Sequence, residues 1–271
     1  MSAETTEKKG EPLVALLLTW FIPGAGHFYL GRVRFALAAF VVVEGLYLLG
    51  VLLSDGMFLE YLPPEMRGRF AGALTPEIGN LGGLIWHTKK FGYGTGFMRV
   101  WPETMDIGTT LTAMSGVLNL FVMSKAHFDA RTTKFVSPLK SPAVQSLLCW
   151  LVPGLGQWVQ GRKKRGVIVF VLLVGLFLMA SILAEGANLD RERHFYYWSG
   201  QFLLGIPAVV VEFVHGHQRV TSDIAYADAG VVIGCIAGML NVLSMLDAFA
   251  YGEDQLEGRP PAKAEGQEAA A

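Results

Sequence analysis

The sequence predicts an all-α fold: a polytopic integral membrane helix bundle with two tandem pseudo-equivalent halves. Three observations carry this. Hydrophobic residues make up 52% of the chain and charged residues 17%, against about 25% charged in a soluble domain. The missing charge leaves long apolar runs, and four of them approach the ~20 residues that cross a hydrocarbon core. Those runs, with the Pro-Gly breaks between them, recur at fixed offsets, which is the signature of an internal repeat.

The chain opens on a polar tail of mixed sign, residues 1–11. The apolar run after it has the length of a signal peptide. The same run recurs at mid-chain, and no Ala-x-Ala site follows it, so the sequence reads as membrane segment rather than leader. From Pro12 the text continues through Trp20, Pro23, Gly24 and Gly26. It returns as Pro142, Trp150, Pro153, Gly154 and Gly156, an offset of 130 (142 − 12). Gly31-Arg32 and Gly161-Arg162 keep that offset, as do Gly45 and Gly175. A second block, Gly116-Val-Leu-Asn119, returns as Gly238-Met-Leu-Asn241 at an offset of 122 (238 − 116). Residues 12–130 are thus the first membrane repeat and 142–251 the second. Residues 131–141 form a cytoplasmic linker. The Glu-, Ala-, Gly- and Pro-rich stretch 252–271 is expected to be a disordered tail.

Four runs are predicted to span: Phe35 to Leu53, Thr109 to Ser124, Gly166 to Leu183 and Gly230 to Phe249. The segments before Pro23 and Pro153 are only about half a span long. Proline removes a backbone donor and glycine loosens the turn, so the helix breaks there. Each segment either kinks across or dips in and returns. Cations favour return, because Lys8-Lys9, Arg32 to Arg34, Lys125 to Lys140 and Arg162 to Arg165 then share the cytoplasmic side. Two connections, 54–108 and 184–229, lie on the far side. The apolar patches in them, Leu81 to Trp86 and Gln201 to Phe213, read as interfacial helices, with an extra pair of short spans as the alternative.

Gly230, Gly234 and Gly238 share one helix face, matched by Gly108, Thr112 and Gly116. Small residues at that spacing let helix backbones approach in lipid, and the stripes are expected to join the two halves. Asn119 and Asn241 need partners in an apolar layer; interhelical hydrogen bonds or a substrate-binding pair would supply them. Glu44 sits mid-span where its repeat mate is Val174. A charged, unpaired carboxylate costs several kcal/mol there, so it is protonated or partnered, with Tyr47 one turn on as a local candidate. Glu44, Asn119 and Asn241 form the candidate intramembrane polar site. Lys125 and Asp247, at equivalent positions, could pair or snorkel to the interface.

Other motifs carry little chemistry. His215-Gly-His217 lacks the further ligands of a metal site. Phe91-Gly-Tyr-Gly-Thr-Gly96 resembles a potassium filter, but Lys89-Lys90 precede it and it occurs once. Cys149 and Cys235 read as small core residues. No catalytic, phosphate-binding or zinc-protease motif is present, so neither a catalytic residue, a cofactor nor a metal is expected. The near-zero net charge speaks against nucleic acid.

The stretch Pro23-Gly-Ala-Gly26-His27-Phe28-Tyr29-Leu30-Gly31-Arg32 resembles the TM-two domain family, small membrane modules with a Gly-rich His-Phe-Tyr-Leu-Gly segment before a longer helix. The resemblance covers about residues 12–54 and, more faintly, 142–186, where Gln157, Trp158, Val159 and Gln160 replace His27 to Leu30. The chain lacks the family's Arg between His and Phe, and the family's terminal Trp and Asp pattern is not clear. The resemblance implies membrane location and topology and brings no activity. The sequence is therefore read as a non-enzymatic bacterial inner-membrane protein, multi-pass, with both termini cytoplasmic and a structural, scaffolding or accessory role. Its partners are the bilayer and a membrane protein or second copy. The rival is a small-solute or ion transporter or channel using Glu44, Asn119 and Asn241.

Overall fold

The computed structural model describes residues 10–68, 70–94, 99–132, 136–215 and 223–259. They form α1 (Pro12–Phe21), α2 (Ala25–Tyr29), α3 (Val33–Leu53), α4 (Leu81–Phe91), α5 (Met105–Arg131), α6 (Pro142–Leu151), α7 (Leu155–Val159), α8 (Lys163–Leu183), α9 (Arg191–Phe202), α10 (Ile206–His215) and α11 (Ala227–Glu257). Short 3-10 turns join them, and the described residues contain no strand. The fold is all-α. Four helices, α3, α5, α8 and α11, are long and apolar enough to cross a membrane.

Contacts divide the chain into two units. The first is Met1–Phe135 with Arg191–Ser199; the second is Val136–Asp190 with Gly200–Ala271. The nine residues from Arg191 thus pack with the first unit, although the sequence places them in the second repeat. The reason is a buried cation: Arg191, 2% exposed, donates to Thr110 Oγ1 and to the Asp106 carbonyl.

In the first unit α1 starts at Pro12, where a missing N–H is free of cost, and stops at Pro23. Gly24 then turns the chain with φ +82°. A Cβ on Gly24 would overlap the Ala36 carbonyl, so only glycine fits. α2 brings the chain back: the Glu11 N–H donates to Tyr29 Oη at 3.2 Å. α1 runs antiparallel to α5, with Ala15 packed on Ala126 and Ala130, and it ends beside the middle of α5. The second unit repeats this locally. Pro153 stops α6, Gly154 turns at φ +83°, and its absent Cβ makes room for the Gly166 carbonyl.

The patches expected to be interfacial helices each abut a Pro-Gly half-helix. In the first unit the N-terminus of α4 abuts the C-terminus of α1. Trp20 Nε1 donates to the Ile78 carbonyl at 2.7 Å, and Gly82 sits against the Phe21 carbonyl. At its other end Phe91 lies against Gly56, just beyond α3. Two half-helices of ten and eleven residues together measure roughly 30 Å, the thickness of a hydrocarbon core. In the second unit α10 starts against α6 in the same way. Gly205 sits against the Trp150 carbonyl, and Trp150 Nε1 donates to the Phe202 carbonyl at 3.4 Å. Each patch is thus the continuation of a Pro-Gly half-helix from a distant part of its unit, a placement that its own sequence does not encode.

The span predicted at Thr109 to Ser124 runs a full turn or more further at both ends, as Met105–Arg131. The expected tail is also shortened. α11 continues to Glu257 and closes at Gly258, φ +71°, because no proline interrupts 252–257; residues 260–271 lie outside the described residues. The small-residue stripes are internal seams of each unit, which corrects the expectation that they join the halves. Gly108 faces the Gly50 carbonyl and Ser54, and Gly116 faces Pro76 and Glu77. Gly230 faces Ala180 and Ala184, Gly234 faces Gln201, and Gly238 faces Gly200. Without side chains there, α5 and α11 approach a neighbouring helix and a turn at once.

Candidate functional site: polar clusters inside the helical layer

Asn119 lies about midway along α5 and is fully buried. Its Nδ2 donates to the Thr19 and Gly79 carbonyls, both at 2.9 Å. Thr19 is in the last turn of α1, where carbonyls lack helical partners; Gly79 ends the 3-10 turn Pro76–Gly79 before α4. One amide therefore clamps both half-helices. Asn241 on α11 does the same in the second unit, donating to the Cys149 and Leu203 carbonyls at 3.1 and 3.0 Å. Both amides thus make the interhelical bonds that were one of the two expectations, to backbone carbonyls of α1 and α6.

Glu44, half-buried on α3, accepts from Asn80 Nδ2 at 3.2 Å. Its partner is thus Asn80 and not Tyr47. Asn80 also caps α4, accepting from the Gly83 N–H at 3.1 Å. Glu77 is fully buried. Its Oε1 accepts from Thr112 Oγ1 at 2.7 Å, and its Oε2 has no hydrogen-bond partner. Tyr47 is fully buried with an unpartnered hydroxyl, and the charges of both Glu77 and Glu44 act on it. Arg191 is the cation whose charge reaches Glu77. It bonds Thr110 at 2.6 Å and stacks on Trp198 at 3.9 Å. Next to it, Tyr61 donates to Asp106. Of the predicted polar set, Glu44 and Asn119 fall in the first unit and Asn241 in the second.

Sequence reasoning missed Glu77, Asn80 and Arg191. All three sit in connections that carry no spanning signal. The available clue was local: Asn80 precedes the apolar patch at Leu81, which is an N-cap position.

At the Arg131 end of α5, Asp129 gathers Arg32, Lys125 at 2.9 Å and His27 at 3.5 Å. Burial holds the His27 imidazole below its ordinary range despite the neighbouring carboxylate. Asp247 pairs with Arg162 and Arg165, each at 2.9 Å. Lys125 and Asp247, for which a mutual pair or snorkelling was open, each pair within their own unit. Cys149 is buried and Cys235 only half-buried. His217 and the side chain of His215 lie outside the described residues, as do Thr95 and Gly96 of the filter-like stretch. Among the described residues no three His, Cys, Asp or Glu side chains converge as metal ligands.

His87 on α4, outside the four spans, packs on Phe58 with ring centroids 4.4 Å apart. Burial pushes its imidazole down to about 4. Between an ordinary value of about 6.5 and about 4, the unfolded chain binds a proton that the folded chain refuses. Stability therefore falls as pH drops through that window, by about 3 kcal/mol in all. Unfolding in detergent at pH 7 and pH 4.5 checks this. His87→Phe is expected to lose that part of the pH dependence, and parallel wild-type and variant curves would refute it.

No curated protein and no solved structure matches the chain. One family profile matches residues 14–136 and 144–261, most of the sequence and every helix that builds the clamps. The chain belongs to the family of unknown function DUF6677.

Proposed function

We propose that this is a non-enzymatic, multi-pass protein of the bacterial inner membrane with a structural, scaffolding or accessory role. The two units are tandem versions of one module. In each, the Pro-Gly hairpin enters from the cytoplasmic side and returns, so both termini are cytoplasmic. The supporting observation is the pair of asparagine clamps. In each unit the one amide at mid-helix spends both hydrogens on the ends of two half-helices. Backbone that is irregular at this depth must be satisfied by protein, and the clamps do that. They leave no amide hydrogen for a passing solute.

A second reading, a small-solute or ion transporter, draws support from the broken helices beside Glu44 and Glu77, since broken helices with polar ends are a transporter device. Two measurements separate the readings. Single cysteines at 131 and 162, without the native cysteines, are expected to react with an impermeant maleimide from the same face of sealed vesicles. Reaction from opposite faces removes the returning-hairpin topology. Proteoliposomes of the whole chain are expected to be as tight to ions and small solutes as protein-free vesicles. A flux lost in Glu44→Gln would replace the accessory role by transport.

A further inference from the structure

We propose that Glu44, Tyr47 and Glu77 form a proton-binding site inside the first unit, in which the two carboxyl groups take up and release exchangeable protons beside the tyrosine hydroxyl. The inference goes beyond the accessory role and rests only on α3 and α5 lying in the bilayer.

Half-buried Glu44 bonds Asn80, three residues beyond buried Glu77, the charges of both carboxyls reach buried Tyr47, and two polar atoms there are left over. Tyr47 Oη and Glu77 Oε2 are buried without a partner, on residues that are fully buried. Each is an atom that a proton or a protonated neighbour would satisfy. The groups packed around them are accounted for. Thr112 Oγ1 donates to Glu77 Oε1 and Asn80 Nδ2 to Glu44 Oε1. Thr75 donates to the Gly72 carbonyl, and its hydroxyl also lies close enough to Glu77 to act on the carboxyl. From α9 only the charge of Arg191 reaches Glu77, and from α5 Asp106 is engaged by Tyr61. Among the described residues neither Glu44 nor Glu77 forms an ion pair; each carboxyl is held by a neutral donor, and a carboxylate at membrane depth without a cation is costly to keep charged.

The two units differ at this place. The seam glycines fix the correspondence: Gly116 lies on Glu77 as Gly238 lies on Gln201. At the repeat offset of 130, Val174 and Phe177 stand for Glu44 and Tyr47. The second unit keeps the asparagine clamp with no ionisable group in the corresponding place. Gln201 is instead tied to Asn188 by two bonds of 2.7 Å. Titratable groups are thus not needed to build this architecture. Their burial in the first unit is a cost that the second unit avoids.

Binding is simple in balance. Uptake forms one O–H bond on a carboxylate oxygen and consumes one proton from water; release reverses it, and no electron is exchanged.

The test is infrared titration of the whole chain in lipid vesicles. Resistance to an alkaline wash is measured first, so failure of the membrane reading is seen separately. Wild type is expected to show a protonated-carboxyl carbonyl band that shifts in D2O and disappears reversibly as pH rises. The band should vanish in Glu44→Gln/Glu77→Gln and change frequency in Tyr47→Phe, and it should be unmoved in Glu65→Gln, at an exposed turn. Two of the exchanges, Glu77→Gln and Tyr47→Phe, install the side chains that the second unit carries at Gln201 and Phe177. If the double variant does not fold, the single variants read the same band. Absence of a titrating band in inserted wild type overturns the proposal. So does a band that survives both substitutions, or a midpoint that moves with sodium chloride, which would mark a metal-cation site.

Discussion

Asn119→Leu is expected to destabilise the first unit by about 3 kcal/mol, the sum of two buried carbonyls left without donors at roughly 1–3 kcal/mol each. Leucine fills nearly the same volume, so the loss reports the clamp and not a cavity. Asn119 Oδ1 has no partner in the folded chain, so removing it sacrifices nothing and slightly offsets the cost. Asn119→Asp should be worse than leucine, because it keeps the shape and points oxygen at the Thr19 and Gly79 carbonyls. Asn241→Leu should reproduce the effect at Cys149 and Leu203. Equilibrium unfolding in mixed detergent micelles measures all three. Leucine variants within 0.5 kcal/mol of wild type, on the order of an ordinary surface change, would refute the clamp.

The largest loss is expected from Gly116→Val. A Cβ at Gly116 would overlap the Pro76 carbonyl oxygen and lie 2.7 Å from its carbon and 2.8 Å from Glu77 Cα. All of these atoms are in the tight turn that carries the Asn119 acceptor, and Gly79 presses back on the Gly116 carbonyl. No rotamer relieves a backbone overlap, so the turn must leave α5 and the clamp goes with it. The expected cost is about 4 kcal/mol or more, beyond ordinary overpacking. Gly45→Ala is the control. Nothing lies within 4 Å of its Cβ position, and it should be neutral or stabilising by up to about 1 kcal/mol through helix propensity. Equal losses at the two glycines would refute the seam, since only Gly116 touches a backbone.

Both predictions concern residues that the sequence marks and whose partners it conceals. Asn119, Gly116 and their mates at Asn241 and Gly238 stand out because they recur in apolar text. That recurrence says they matter in the same way twice. It does not say to what they bond, because the acceptors are backbone carbonyls, which every residue carries. Glu77 shows the opposite case. One carboxylate in a connection of mixed composition gives no signal, and it becomes notable only when the Pro76–Gly79 turn is seated on α5.

The sequence by itself determined the class of fold, the four long helices, the Pro-Gly breaks and the glycine seams. Each of these is a local consequence of apolar length, a missing N–H or a missing Cβ, and local chemistry is written residue by residue. Tertiary structure decided what the seams face, that α1 meets α4 and α6 meets α10 end to end, and that Asn80 brings Glu44 to the turn that holds Glu77. The physical reason is that a half-helix ends in unpaired carbonyls. Which donor satisfies them is settled by packing between segments far apart in the chain, and no local pattern encodes it.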